Sequence, residues 1–168
     1  TGVANADVSG TSYTGTGTLA LAEIGGTASF SAAVSAASLT VAGTVNNVSL
    51  AGSSGTITNS VTFGNTGSLA LGQGGGALVF DGGLTATAPS GITLNGTIGA
   101  SDDGIVLGDA DTAVSLGSDT TIDANSTAGN TADITLGAVS GSGFTLSLAT
   151  GTGVANADVS GTSYTGTG

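Results

Sequence analysis

Apolar residues along this chain come in short pairs separated by one small or polar residue. Leu19-Ala20-Leu21, Leu39-Thr40-Val41, Val48-Ser49-Leu50, Val61-Thr62-Phe63 and Leu69-Ala70-Leu71 are followed by Ile92-Thr93-Leu94, Ile105-Val106-Leu107, Val114-Ser115-Leu116, Ile134-Thr135-Leu136 and Phe144-Thr145-Leu146-Ser147-Leu148. Period-two alternation sends the apolar side chains to one face of an extended segment, so each group predicts a short, half-buried strand. Glycine follows at once at Gly64, Gly72, Gly108, Gly117 and Gly137. These read as tight corners that need positive φ. The best helix candidate, "SAAVSAAS" at Ser31–Ser38, lacks an apolar stripe of helical period. It reads instead as two thin strand edges whose alanines fill a tight interior.

The fold class that follows is all-β. A parallel β-solenoid would coil the chain into rungs of about 20–25 residues, each giving two or three short strands to stacked sheets. The alternative is tandem β-sandwich modules. Short strands, Gly/Asn/Asp corners and small polar faces favour the solenoid. Sandwiches usually carry longer strands, more proline than the single Pro89 and an aromatic anchor such as Trp, which this chain lacks.

Self-similarity sharpens the choice. "TGVANADVSGTSYTGTG" at 1–17 returns unchanged at 152–168. Residues 1–151 are expected to be one full tandem unit and 152–168 the start of the next, with Tyr13 and Tyr164 one position seen twice. Repeated units stack so that a core runs on continuously. At ~4.8 Å per rung, about seven rungs would advance the axis roughly 33 Å per unit.

Composition narrows the function. Lys, Arg, His, Cys, Met and Trp are all absent, charged residues make up 7%, and the formal net charge is −11. Nucleic acid binding requires cations against phosphate, so it is excluded as a partner, as is basic attraction to an anionic membrane. No apolar run reaches the ~18 residues of a membrane span. Without cysteine there are no disulfides or thiolate metal sites. Trypsin has no site, and few side chains are prone to oxidation, which suits an exposed extracellular life.

Catalysis is poorly provided for. No imidazole base, amine or thiol nucleophile, or cationic clamp exists. Paired carboxylates alone can cleave glycosides, but a catalytic site copied into every unit of an array would be unusual. The expectation is no enzyme. Gly72–Phe80, "GQGGGALVF", lacks the Gly-Lys-Ser/Thr ending of a phosphate loop and reads as a turn. Thr-x-Thr spacing at Thr14–Thr18 and Thr85–Thr87 reads as ordinary ladders. Asn47, Asn95 and Asn125 head glycosylation sequons, which mean little in a chain this rich in Asn, Ser and Thr.

The acids are unevenly placed. Asp102, Asp103, Asp109, Asp111, Asp119, Asp123 and Asp133 crowd one stretch, while the rest of the unit has only Asp7, Glu23 and Asp81. Asp109 and Asp111, two apart, would share a face on a strand. Stacked carboxylates repel with no cation to relieve them, and calcium favours such oxygen clusters. Asp102, Asp103, Asp109, Asp111, Asp119 and Asp123 are therefore the candidate calcium ligands. The bland alternative is that they cap turns and keep a neutral surface soluble. Neither the EF-hand pattern nor the calcium-binding β-roll nonapeptide is present.

The phrases "GDADTAVSLGSDTTIDANSTAGNTADITLGAVSGSG" and "FTLSLATGTGVANADVSG" resemble the repeats of giant bacterial β-strand-repeat surface proteins, akin to filamentous-haemagglutinin and autotransporter-type adhesins. The resemblance implies a right-handed β-solenoid, export to the cell surface, and a role as fibre, sheath or adhesin. It carries over no binding residue. The expected function is a structural, non-catalytic segment of an extracellular bacterial filament. Its partners would be its own neighbours, end to end and side by side. The alternative is the stalk of a cell-surface adhesin that binds carbohydrate or a calcium-bridged partner.

Overall fold

A computed structural model describes residues 5–126, 132–152 and 156–166. Among these residues there is no helix, and every paired strand runs parallel to its neighbour. The chain winds into a three-sided β-solenoid of about seven turns. Parallel pairing follows from the coiling itself, because each turn brings the chain back to the same face in the same direction.

Each face is a column of short strands. On the first, Val8, Ala28, Val48, Leu69, Ile92, Val114, Val139 and Tyr164 stand one above the next, so a turn takes 20 residues at the start and 25 at the end. The second face begins with Tyr13 beneath Val34 and continues through Ile57, Phe80 and Ala100. The third runs from Leu19 and Leu39 through Val61, Leu84, Ile105 and Ile134 to Val159. Longer strands turn the corner and belong to two faces, as Gly91–Ala100 does with a register shift between Leu94 and Gly96.

The apolar triplets supply the inward columns. Leu50, Phe63, Leu71, Leu94, Ile105 and Leu107 are fully buried, each flanked by an outward residue. "SAAVSAAS" divides as expected, into Val34–Ser35 and the start of Ser38–Val41. Phe144 departs from expectation. Its strand begins only at Leu146, because the Phe144 amide closes a turn on the Gly141 carbonyl at 2.9 Å.

Corner glycines divide by cause. Gly72 and Gly108 take left-handed φ values of 77° and 74°, as the alternation predicted. At Gly64 and Gly137 the reason is space. A Cβ on Gly64 would lie 2.7 Å from the Val41 carbonyl oxygen, and one on Gly137 would lie 2.7 Å from that of Asp109. Stacked turns approach too closely there for any side chain.

Two aromatic rings from different faces meet in the interior. Phe63 and Phe80 pack edge to face with centroids 5.8 Å apart, and neither touches solvent. A narrow core cannot collapse around a deleted ring. Phe63→Ala should cost about 3–5 kcal/mol, read as a lowered urea midpoint with parallel-strand circular dichroism retained below it.

Candidate functional site

The acidic stretch does not form one site. It is distributed around the solenoid by the corners that its residues occupy. Asp102 and Asp103 lie where the chain passes from the second face to the third, directly after Gly91–Ala100. Asp109 and Asp111 lie at the next corner, between Ile105–Leu107 and Val114–Ser126. Asp119 sits where the latter strand bends between faces, and Asp123 is half-buried further along it. The expected shared face for Asp109 and Asp111 does not arise, because the pair lies in a loop rather than on a strand. One Asp109 carboxylate oxygen accepts the backbone amides of Asp111 and Thr112, each at 2.9 Å. Among the described residues no group of three or more acidic side chains comes together to hold a metal ion.

What the carboxylates do instead is local and repeated. Asp123 Oδ1 accepts the Asn125 amide at 2.8 Å. Asp102 adopts a left-handed φ of 64°, and its amide donates to the Ala124 carbonyl one turn on, at 3.2 Å. Others reach across to the following turn. Asp7 Oδ1 accepts the Thr27 amide at 2.6 Å, Asp119 Oδ1 the Thr145 amide at 2.8 Å, and Asp133 Oδ1 the Asp158 amide at 2.8 Å. Asn47 Oδ1 plays the same part for Ser68 at 2.9 Å. In each case a short acceptor holds an amide of the turn above, from just before or at the start of a strand for Asp7, Asp133 and Asn47 and from the bend within Val114–Ser126 for Asp119. Hydrogen bonds to an ionised acceptor are the stronger kind, so the anions are used as stitches between turns.

Asn65 is the corner residue that the sequence did not single out. It is completely buried, and its Nδ2 donates to the carbonyls of Asn46 at 3.3 Å and Ser68 at 3.0 Å, joining one turn to the one below. Its only legible signal was a polar residue placed between two apolar triplets.

Two clefts among the described residues bear on a site. One, of about 660 Å³, opens at the C-terminal end among Leu136, Val139, Phe144, Leu148, Val159 and Tyr164. The other, of about 490 Å³, is lined by hydroxyls of Thr97, Thr121 and Ser147 beside Asp119, whose Oδ1 already holds the Thr145 amide. Residues 1–4, 153–155 and 167–168 of the repeated segment, and Thr127 of the third sequon, lie outside the described residues. Among those described, no helix is long and apolar enough to cross a membrane.

Eleven carboxylates without a cation repel one another across a narrow rod. Raising sodium chloride from about 0.01 M to about 1 M shortens the screening length from ~30 Å to ~3 Å and should raise the melting temperature by several degrees. Calcium at matched ionic strength should add nothing further. An extra rise that saturates with calcium would instead assign a site to the Asp102–Asp123 stretch. No protein-family model, curated protein or solved structure matches the chain, so its function rests on this geometry.

Proposed function

We propose that the chain is a structural, non-catalytic segment of an extracellular bacterial fibre, sheath or surface filament, built from tandem units of a right-handed β-solenoid. One observation carries this reading. The duplicated segment has a neighbour on each of its two edges, one per copy. In the first copy, Val8–Gly10 lies against Ala28–Phe30 of the following turn. In the second, Val159–Thr165 lies against Ile134–Ser140 of the preceding one. Combined, the two copies describe a strand flanked above and below, which is the environment of a turn inside a continuous array.

The mechanical role follows from how the turns are joined. Main-chain hydrogen bonds parallel to the axis link every turn to the next, through corners as well as strands. Examples are Gly26 to Ala6 at 3.0 Å, Asn47 to Gly26 at 3.0 Å and Gly108 to Ala86 at 2.8 Å. Pulling the rod loads many such bonds in each turn together. Outward positions carry mainly Thr, Ser, Ala and Asn, small residues that allow neighbouring rods to approach closely. A polymer without Lys or Arg offers trypsin no cleavage site.

Fibre diffraction from native material tests the proposal. A meridional reflection at ~4.8 Å along the fibre axis is expected. Native material that is not fibrous, or a 4.8 Å reflection on the equator, would overturn it.

A further inference from the structure

The two copies of the duplicated segment do not sit on the same faces. In the first copy, Val8–Gly10 is on the first face and Tyr13–Thr14 on the second. In the second copy, Val159–Gly161 continues the third-face column of Ile105 and Ile134, and Tyr164–Thr165 continues the first-face column of Val114 and Val139. The inward positions nevertheless agree. Val8 and Val159 face the buried Ala28 and Ile134, Gly10 and Gly161 face the buried Phe30 and Leu136, and Tyr13 and Tyr164 face the buried Val34 and Val139. Asn5 and Asn156 also keep the same left-handed conformation, with φ values of 62° and 71°. The segment therefore fits two different corners of the triangle with the same residues inward, as two strands parted at Thr11–Ser12 in the first copy and as the single strand Val159–Thr165 in the second.

Val8 is first in the first-face column, and Val159 is seventh in the third-face column. The interval between them is twenty strand positions, or six and two-thirds turns. We infer that a second copy of the unit seats on the C-terminal end turned by one third of a turn, so that only every third unit presents the same residues on the same face. This rests on the array reading above.

The exposed end fits that occupant. Phe144, Leu148, Val159 and Tyr164 are 39%, 38%, 48% and 52% exposed and line the 660 Å³ cleft. Carrying the first copy's own contacts over to the second places Thr27–Phe30 of the incoming unit on Val159–Gly161, and its Val34–Ser35 on Tyr164–Thr165. The incoming Thr18–Leu21 then falls on the second face, where its inward Leu19 and Leu21 meet Leu146 and Leu148 in an apolar match. Gly161 supplies an independent check. At Gly10 a Cβ would lie 2.9 Å from the Phe30 ring, whereas at Gly161 the nearest atoms are those of Leu136 at an ordinary 3.6 Å. Nothing among the described residues demands glycine at 161, but the Phe30 of an incoming unit does. In the same way the Asp158 carboxylate would take the incoming Thr27 amide, as Asp7 does at 2.6 Å.

Electron cryomicroscopy of the native filament at side-chain detail tests this. Counting strand segments along the chain from one Tyr13 to its next equivalent should give twenty, with an axial advance of about 32 Å at ~4.8 Å per turn. A count of eighteen or twenty-one, a whole number of turns with every Tyr13 on one face, would overturn the third-turn offset while leaving the solenoid fibre intact. Native material without stacked strand layers would overturn both.

Discussion

The constraint on which everything else depends is that each turn must match the hydrogen-bonding groups of the turn beneath it. Buried backbone amides and carbonyls are costly to leave unpaired, and a solenoid pairs them with the chain's own next pass. Bonds such as Ala42 to Leu21, Gly64 to Val41 and Gly67 to Asn46 carry the ladder around corners where strand geometry has lapsed. Register is thereby fixed at many points per turn. Extra residues must leave the stack as corner loops, which is how a turn grows from 20 to 25 residues without disturbing the Val/Leu/Ile columns. Where a corner cannot satisfy itself, short side chains do so: Asp7, Asn47, Asp119 and Asp133 each take an amide from the turn above.

That constraint explains which parts of the fold were legible. Alternation around Leu19, Leu39, Val48, Leu69, Ile92, Ile105, Val114 and Ile134 marks strands because both inward residues there are large. Thr27–Phe30 and Ser54–Ile57 are equally regular but carry no pair of large apolar residues, and Ala77–Phe80 falls in the Gly72–Phe80 stretch that reads as a turn. Their inward positions include Ala28 and Gly55, small because a three-sided core has no room for large residues everywhere. A Cβ on Gly55, whose φ is 158°, would also clash with the Val34 backbone of the turn below. The glycine run does close a turn, with the Gly76 amide on the Gln73 carbonyl at 2.9 Å, but the expected turn ends there and Ala77–Phe80 is a strand. The register of columns depends on corner lengths, and those follow no simple period.

The acidic residues were visible as a cluster only along the sequence. Those thirty-two residues make about one turn here, since Ile105 pairs with Ile134, so neighbours in sequence are spread over all three corners. Asp109 and Asp111 would have shared a face on a strand, but Gly108 breaks the strand just before them, and Asp109 closes a loop over Thr112. Thr112 is itself buried, and its hydroxyl donates to the carbonyls of Thr87 and Pro89 in the turn below. A carboxylate in such a corner is already at work on the backbone. Its sequence signal is therefore the same as that of a ligand, although Asp109 Oδ1 holds two backbone amides.

A unit whose length is not a whole number of turns places a demand on its own sequence. If every segment must in time occupy each of the three faces, no face can specialise, and inward residues must suit any neighbour above or below. The duplicated segment meets that demand with Val, Gly and Tyr inward in both settings. The same demand works against a localised binding or catalytic surface, since a patch built on one face would wind around the rod rather than line it. Inward residues that suit any neighbour and small outward side chains are what the proposed offset would require.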